Sequence, residues 1–469
     1  MYLSLRLVSL ALCIAPLASA GNNSTPLVQA CTGYSFPRVA CMYRYASKMP
    51  LDFYRKASVD ISNVDTYSST EVANDDSFQQ VGKATFLVWD QQRGSEILGS
   101  DPAYDIVFTI STGGHEAPVY VPDTNELWFS ELGKGELHQQ VISLDGETPT
   151  ISEVLTDPPL YAPSGARYRN GKIYFSAGGG NSTLEGGPYH PGIYSVDPKT
   201  RKSTIEVNNY FGWYFNQVST PTSHTRGGSP LSHFCTLVDP RLVAHGLTFQ
   251  HRPTTWILTS TVASGLVILV SSWARDLTLV HTDAAIVLAR NHGTSTVAPQ
   301  VQASVYRYDP ETGAVNIVDD TLHCPNGVAF SPDYKTLYLT DTDAGVPMID
   351  PRVPLSEVPS LQYNSTNRRT VYAFDVSEDG SYLKNRRPIY TAKDFVPDGL
   401  KVASNGYVIT GAGKGVDILD TTGTPLLSIQ TNFTAVNMVF GGKNLDELWI
   451  VGHGAVARAR LNLTGPALE

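Results

Sequence analysis

The sequence predicts an all-β chain: a six-bladed β-propeller with an N-terminal extension. Three observations predict it. A strand-like hexamer recurs along the chain, a second strand type alternates with it, and amphipathic helix patterning is almost absent between them.

The hexamer first appears as Asn125-Glu-Leu-Trp-Phe-Ser and returns as Gly171-Lys-Ile-Tyr-Phe-Ser and Lys335-Thr-Leu-Tyr-Leu-Thr. It recurs as Asn405-Gly-Tyr-Val-Ile-Thr and Asp446-Glu-Leu-Trp-Ile-Val. Each copy opens on a turn residue or polar pair and continues with β-branched, aromatic or leucine side chains, the composition of a strand. The second type reads Ile193-Tyr-Ser-Val-Asp, Val305-Tyr-Arg-Tyr-Asp and Val371-Tyr-Ala-Phe-Asp. Two of its copies run directly into the turns Asp197-Pro-Lys-Thr and Asp309-Pro-Glu-Thr-Gly. Hexamer starts are separated by 46, 164, 70 and 41 residues. The 164-residue gap is too long for one unit and splits into two of about 80, so five visible copies and one hidden copy make six blades. Two packed β-sandwiches are the alternative arrangement.

Arg6, the apolar run Leu7 to Ala15 and the small residues Ala18-Ser19-Ala20 have the order of a secretory signal peptide, predicted over residues 1–20. The extension is then expected over 21–75, rich in Ser, Asp and Tyr, and the propeller over 76–469, with 218–300 atypical within it. A secreted, extracellular chain is expected, and its other features agree. Cys31 and Cys41, ten apart, can pair. Sequons occur at Asn22, Asn23, Asn181, Asn364, Asn432 and Asn462, and those that are exposed are expected to be glycosylated. The net charge of −10 comes with no basic run, which argues against nucleic acid as a partner. The apolar stretch Trp256 to Val270 is broken by four hydroxyl residues and falls short of a membrane span, so no membrane partner is expected.

Residues 218–300 break the pattern. They hold six of the eleven histidines, no tyrosine and no lysine, and their acidic residues are Asp239, Asp276 and Asp283. The strand grammar returns only near Val305. Three readings stand open: a retained intron or frame-shifted stretch that does not encode a repeat unit, an inserted lid or surface domain, and a histidine zinc site. The histidine spacings, with neither a His-x-His nor an i, i+4 pair, speak against the last.

Three loops beside repeat strands carry side-chain oxygens next to proline and small residues. They are Gly113-Gly-His-Glu-Ala-Pro, Cys324-Pro-Asn-Gly-Val and Val396-Pro-Asp-Gly-Leu. Taken singly, Pro-Asn-Gly and Pro-Asp-Gly are ordinary turns. Taken together, at matching places in three repeats, Glu116, Asn326 and Asp398 are three hard oxygen donors. Such donors suit Ca2+ and could also take Mg2+ or Mn2+.

These loops, with Val119-Tyr120, Val328-Ala-Phe-Ser-Pro-Asp333, Leu337-Tyr-Leu-Thr-Asp-Thr342, Leu400-Lys401 and Gly411-Ala-Gly413, resemble the gluconolactonase/regucalcin-like family, and more closely its secreted fungal lactonohydrolase branch. The resemblance covers roughly 80–217 and 300–465. It implies a six-bladed propeller with one catalytic divalent ion, most simply Ca2+, held by Glu116, Asn326 and Asp398. It implies hydrolysis of a small sugar-type or related lactone, with Asp398 handling the proton of the attacking water. His115 would face the substrate or support the site. No Gly-x-Ser-x-Gly nucleophile motif competes with this reading.

The chain departs from the family at two places. An Asn-Asp pair expected shortly after Tyr214-Phe215-Asn216 is missing, and Pro163-Ser164-Gly165 stands where relatives often carry a Pro-Asn-Gly-like turn. A non-catalytic propeller that holds a metal and binds a small molecule or partner is therefore the competing expectation.

Overall fold

Each copy of the first hexamer folds as the second strand of an antiparallel four-strand unit, which for the copy at Asn405 is part of a seven-stranded sheet, and each copy of the second strand type folds as the third. The computed structural model describes residues 26–35, 37–43, 47–49, 55, 66–72, 75–132, 137–177, 191–215, 218–223, 248–252, 255–259, 268–271, 285–289, 301–310, 312–345 and 363–468. The architecture is all-β and propeller-like. Among the described residues the α-helix is confined to Gln91–Leu98, capped where the Asp90 carboxylate accepts from the Arg93 N–H at 2.9 Å. No helix there is long and apolar enough to cross a membrane.

Why the hexamers are apolar on both faces follows from where they lie. Each second strand is flanked within its sheet and covered on both faces by the neighbouring sheets, so alternation gives way to runs such as Leu127-Trp128-Phe129 and Leu337-Tyr338-Leu339. The core is accordingly divided into clusters lying between adjacent sheets. One unites Val119, Trp128 and Val141 with Tyr168, Ile173 and Phe175. Another joins Ile409 and Ile418 to Met438, Leu448 and Ile450.

The first strands line a common axis. His115–Val121 touches Pro163–Arg169, which touches Val218–Ser223. That strand touches Pro325–Phe330, which touches Pro397–Val402, then Ala435–Gly441, which returns to His115–Val121. The sheet begun by Ala435–Gly441 takes its fourth strand from far upstream: Ala103–Thr109 pairs antiparallel with Ala455–Arg460.

Two segments refine the expectations. The strands Val218–Ser223 and Ala285–Ala289 pair with each other, and Ser304–Tyr308 and Val315–Asp319 complete their sheet. The hidden second strand is therefore Ala285-Ile-Val-Leu-Ala, which lacks both the aromatic and the opening turn of its counterparts. The long gap consequently divides unequally rather than into halves. Thr248–Arg252, Thr255–Thr259 and Ile268–Ser271 form a separate three-stranded sheet. His251 lies on its first strand, and the other five histidines of 218–300 fall outside the described residues. So do residues 1–20, Asn22, Asn23, Asn181, Asn216 and Gln217.

Cys31 and Cys41 are joined by a disulfide with a Cα–Cα distance of 5.4 Å. Phe86–Val88, just beyond the extension, pairs with the outer edge of the 397–430 sheet, and the extension adds Val39–Met42 and Val28–Gln29 to it in turn. A sheet edge that would present unpaired backbone groups is thereby covered. Asn364, Asn432 and Asn462 are all exposed.

Candidate metal centre

Every candidate oxygen donor sits in or directly beside a β-bulge between the first and second strands of a sheet. Pro325 pairs with Asp341 and Val328 with Leu339, leaving one extra residue at Asn326-Gly327. The same shift occurs between Pro397 and Leu400, around Asp398-Gly399, and between Glu116 and Val119. Bulges of this kind re-aim a side chain out of the ladder. Glycine is needed at two of them for close approach. A Cβ on Gly327 would lie 2.4 Å from the Asp398 carbonyl oxygen, and one on Gly399 would lie 2.3 Å from the Asn437 amide carbon.

Hydroxyls at the end of the hexamers brace the bulges. Thr340 Oγ1 accepts from the Gly327 N–H at 2.6 Å and donates to the Asp398 carbonyl at 3.1 Å, tying two neighbouring first strands together. Ser130 Oγ donates to the Glu116 carbonyl and to that of Pro163, Ser176 to Gly165, and Thr410 to Gly399. Asp341, fully buried, accepts from the N–H groups of His323 and Cys324 at 2.9 Å each and so fixes the turn that delivers Asn326. Burial pushes its carboxyl upward against those N–H groups.

Asn326 and Asp398 are brought into direct contact, with Asn326 Nδ2 donating to Asp398 Oδ1 at 2.5 Å. Glu116 joins them through a residue that the sequence reading missed. Asn437 Nδ2 donates to Glu116 Oε2 at 2.8 Å, and Asn437 packs against Gly399, next to Asp398. Asn437 flanks the corresponding bulge of its own sheet: Ala435 pairs with Gly452 and Asn437 with Val451, leaving Val436 as the extra residue. Position could have found it: Asn437 lies nine residues before Asp446, as Glu116 lies nine before Asn125 and Asn326 nine before Lys335 (446 − 437, 125 − 116, 335 − 326).

Glu116 and Asn326 are 3 % and 6 % exposed, whereas Asp398 keeps partial access to solvent. Two carboxylates and the Asn326 amide, mostly buried and converging from three first strands, can offer oxygens to a hard divalent ion, while Asn437 orients Glu116 from behind. No group of three or more His, Cys, Asp or Glu forms a metal-binding cluster among the described residues, so this mixed carboxylate–amide set is the candidate centre.

His115 is buried beside Glu116 but faces elsewhere. Its Nδ1 lies 3.0 Å from the Gly452 carbonyl, which requires the nitrogen to donate, and Nε2 lies 3.9 Å from Glu131. Burial holds its pKa below the ordinary value, against the pull of Glu131.

Further along the same strands the channel holds a cavity of about 130 Å³, lined among others by Tyr120, Arg167, Tyr168, Phe330, Lys401 and Phe440. Lys401 Nζ donates to Asn437 Oδ1 at 3.3 Å. Burial pulls the lysine down to about 8, with Glu116 opposing the shift and Arg167 adding to it.

The model of the SMP-30/gluconolactonase/LRE-like region matches residues 280–349 and 360–453. The chain is 99 % identical over its full length, and that of the relative, to the lactonohydrolase oryH of Aspergillus oryzae. It is 40 % identical to the lactonohydrolase oryL of the same strain, over 95 % of this chain and 90 % of the relative. Among solved structures it resembles a gluconolactonase from Xanthomonas campestris, with a TM-score of 0.53 and 19 % identity, covering 80 % of this chain and 94 % of the other. Similarity to both fungal relatives along almost the whole chain, with the matching family model, shows that the chain belongs to the SMP-30/gluconolactonase/LRE-like family alongside the Aspergillus lactonohydrolases.

Proposed function

We infer that this protein hydrolyses a lactone at a centre formed by Glu116, Asn326 and Asp398, with a divalent ion, most simply Ca2+, bound there. The observation that carries the reading is the convergence of these bulge residues, with Asn437, from separate first strands onto one end of the axis. The lactonohydrolase names of its relatives fit the same chemistry. The closed ring of first-strand contacts supports six blades.

When bound, the ion supplies polarisation of the lactone carbonyl and stabilises negative charge on its oxygen. The rest falls to the chain. Asn326 fixes the Asp398 carboxylate through Oδ1, and the partly exposed position of Asp398 lets a water approach it. Asp398 accepts a proton as that water's oxygen bonds to the carbonyl carbon. The ring C–O bond then breaks, and the proton passes to the departing oxygen to give the hydroxy acid. Buried Asn437 and Thr340 hold Glu116 and the Asp398 strand in place while charge moves. His115 contributes by anchoring the Glu116 strand to Gly452 and keeping an imidazole at the site's border.

Secretion and glycosylation belong to the same proposal. The N-terminal pattern of residues 1–20, the Cys31–Cys41 disulfide and the exposed sequons at Asn364, Asn432 and Asn462 support an extracellular enzyme.

The test is acid release from aldono- and aromatic lactones with and without a chelator. Hydrolysis lost on chelation and restored by Ca2+ supports the reading. Divalent-ion binding without turnover of any lactone would establish a binding module instead.

A further inference from the structure

The two carboxylates of the centre are compensated differently, and the difference assigns a role to Lys401. Asp398 is partly exposed and receives an amide N–H from Asn326. Glu116 is almost fully buried, where a carboxylate without a nearby cation is strongly disfavoured. Its amide partner Asn437 is oriented from the other side: Oδ1 accepts from the Met438 N–H at 2.9 Å and from Lys401 Nζ at 3.3 Å, while Nδ2 donates to Glu116 at 2.8 Å. Lys401 also donates to the Leu400 carbonyl at 3.3 Å, which holds its stem against its own strand. A cation, an amide and a buried carboxylate thus stand in line across the 397–402, 435–441 and 115–121 strands.

We propose that Lys401 is the resident counter-ion of the metal centre: it neutralises Glu116 when no divalent ion is bound and opposes the ion when one is. The inference rests on the reading of Glu116 as a metal ligand. It predicts a centre that stays assembled without metal, at the expense of metal affinity. A lysine that merely packed in the channel would stabilise the metal-free and metal-bound protein equally.

The experiment uses the full chain stripped with EDTA. Thermal unfolding and Ca2+ calorimetry are measured for the parent, Lys401→Met and Lys401→Arg. The metal-free Lys401→Met protein is expected to melt below the parent, and saturating Ca2+ to recover most of the loss, so that its Ca2+-induced rise in Tm is about twice that of the parent or more. Its Ca2+ affinity is expected to increase about tenfold. Lys401→Arg keeps the charge and is expected to stay near the parent. Should stripped Lys401→Met fail to fold, the Lys401→Met/Glu116→Gln pair decides: removing the buried negative charge is expected to restore folding. Equal Ca2+-induced rises in parent and Lys401→Met, weaker Ca2+ binding, or no recovery in the double variant overturns the counter-ion role alone. A parent that shows no rise with Ca2+, Mg2+ or Mn2+ overturns the metal reading and the counter-ion role with it.

Discussion

The centre is built from two matching halves. In one, Asn326 donates to Asp398; in the other, Asn437 donates to Glu116. Each half pairs an amide on one first strand with a carboxylate on the next, at bulges of the same kind. They differ in exposure and in what stands behind the amide. Asp398 is open enough to meet water, while Glu116 is buried and backed through Asn437 by Lys401. One arrangement of strands thus yields a carboxylate suited to proton transfer and another suited to holding an ion. In the proposed mechanism, environment and not residue type separates their roles.

The comparison breaks first at Asp398. Asp398→Ala is expected to reduce kcat for lactone hydrolysis by about 1,000-fold, measured by acid release, while Ca2+ still raises Tm. Glu116→Gln is expected to show the opposite emphasis. Its metal affinity falls by about 100-fold, and raising the Ca2+ concentration recovers much of the activity. An Asp398→Ala protein that kept its kcat would remove the asymmetry between the halves. Asn437→Ala is expected to cost about 10-fold in Ca2+ affinity by calorimetry, because it leaves Glu116 free to turn without removing a charge. Thr340→Val bears on both strands of the Asp398 half and is expected to cost about 1–2 kcal/mol in denaturant unfolding.

The smallest expected effect lies outside the centre and serves as a control. Asp420 is held at about 2: burial pushes it up, but the Thr422 hydroxyl, Arg93 and the N–H groups of Thr424 and Thr422 outweigh that. Its folded value lies below its unfolded one, so the unfolded chain binds more protons between them, and stability falls as pH drops from about 4 to about 2. Arg93→Met should flatten that acid slope in urea titrations at successive pH values and leave lactone hydrolysis at neutral pH unchanged.

The legible parts of the molecule are those where one structural demand repeats. Strands flanked and covered on all sides must be apolar throughout, and this made five hexamers visible. Ala285-Ile-Val-Leu-Ala meets the same demand without an aromatic or an opening turn residue, and its first strand lies 62 residues upstream (285 − 223), so no period exposed it. At the centre, Asn326 and Asp398 carried proline and glycine as punctuation, because backbone approaches them closely. Asn437 follows Ala435-Val436 and needs neither residue, so only its nine-residue offset marks it. The role of Lys401 was invisible for another reason. It depends on which neighbour stands across the axis, and Asn437 and Glu116 lie 36 residues downstream (437 − 401) and 285 upstream (401 − 116).

The pairing of Ala103–Thr109 with Ala455–Arg460 has a consequence for how the molecule is made. These strands are separated by 346 residues (455 − 109), so the earliest strand of the ring waits for the last to be synthesised. At common translation speeds that wait is on the order of 20–70 s. The edge that Phe86–Val88 covers is also made late, at Pro425–Gln430. Throughout that interval the nascent chain carries open strand edges at both ends, the state most prone to pair with a neighbour. Ring closure therefore cannot precede synthesis of Ala455–Arg460, and Glu116 cannot meet Asn437 before residue 437 has been made.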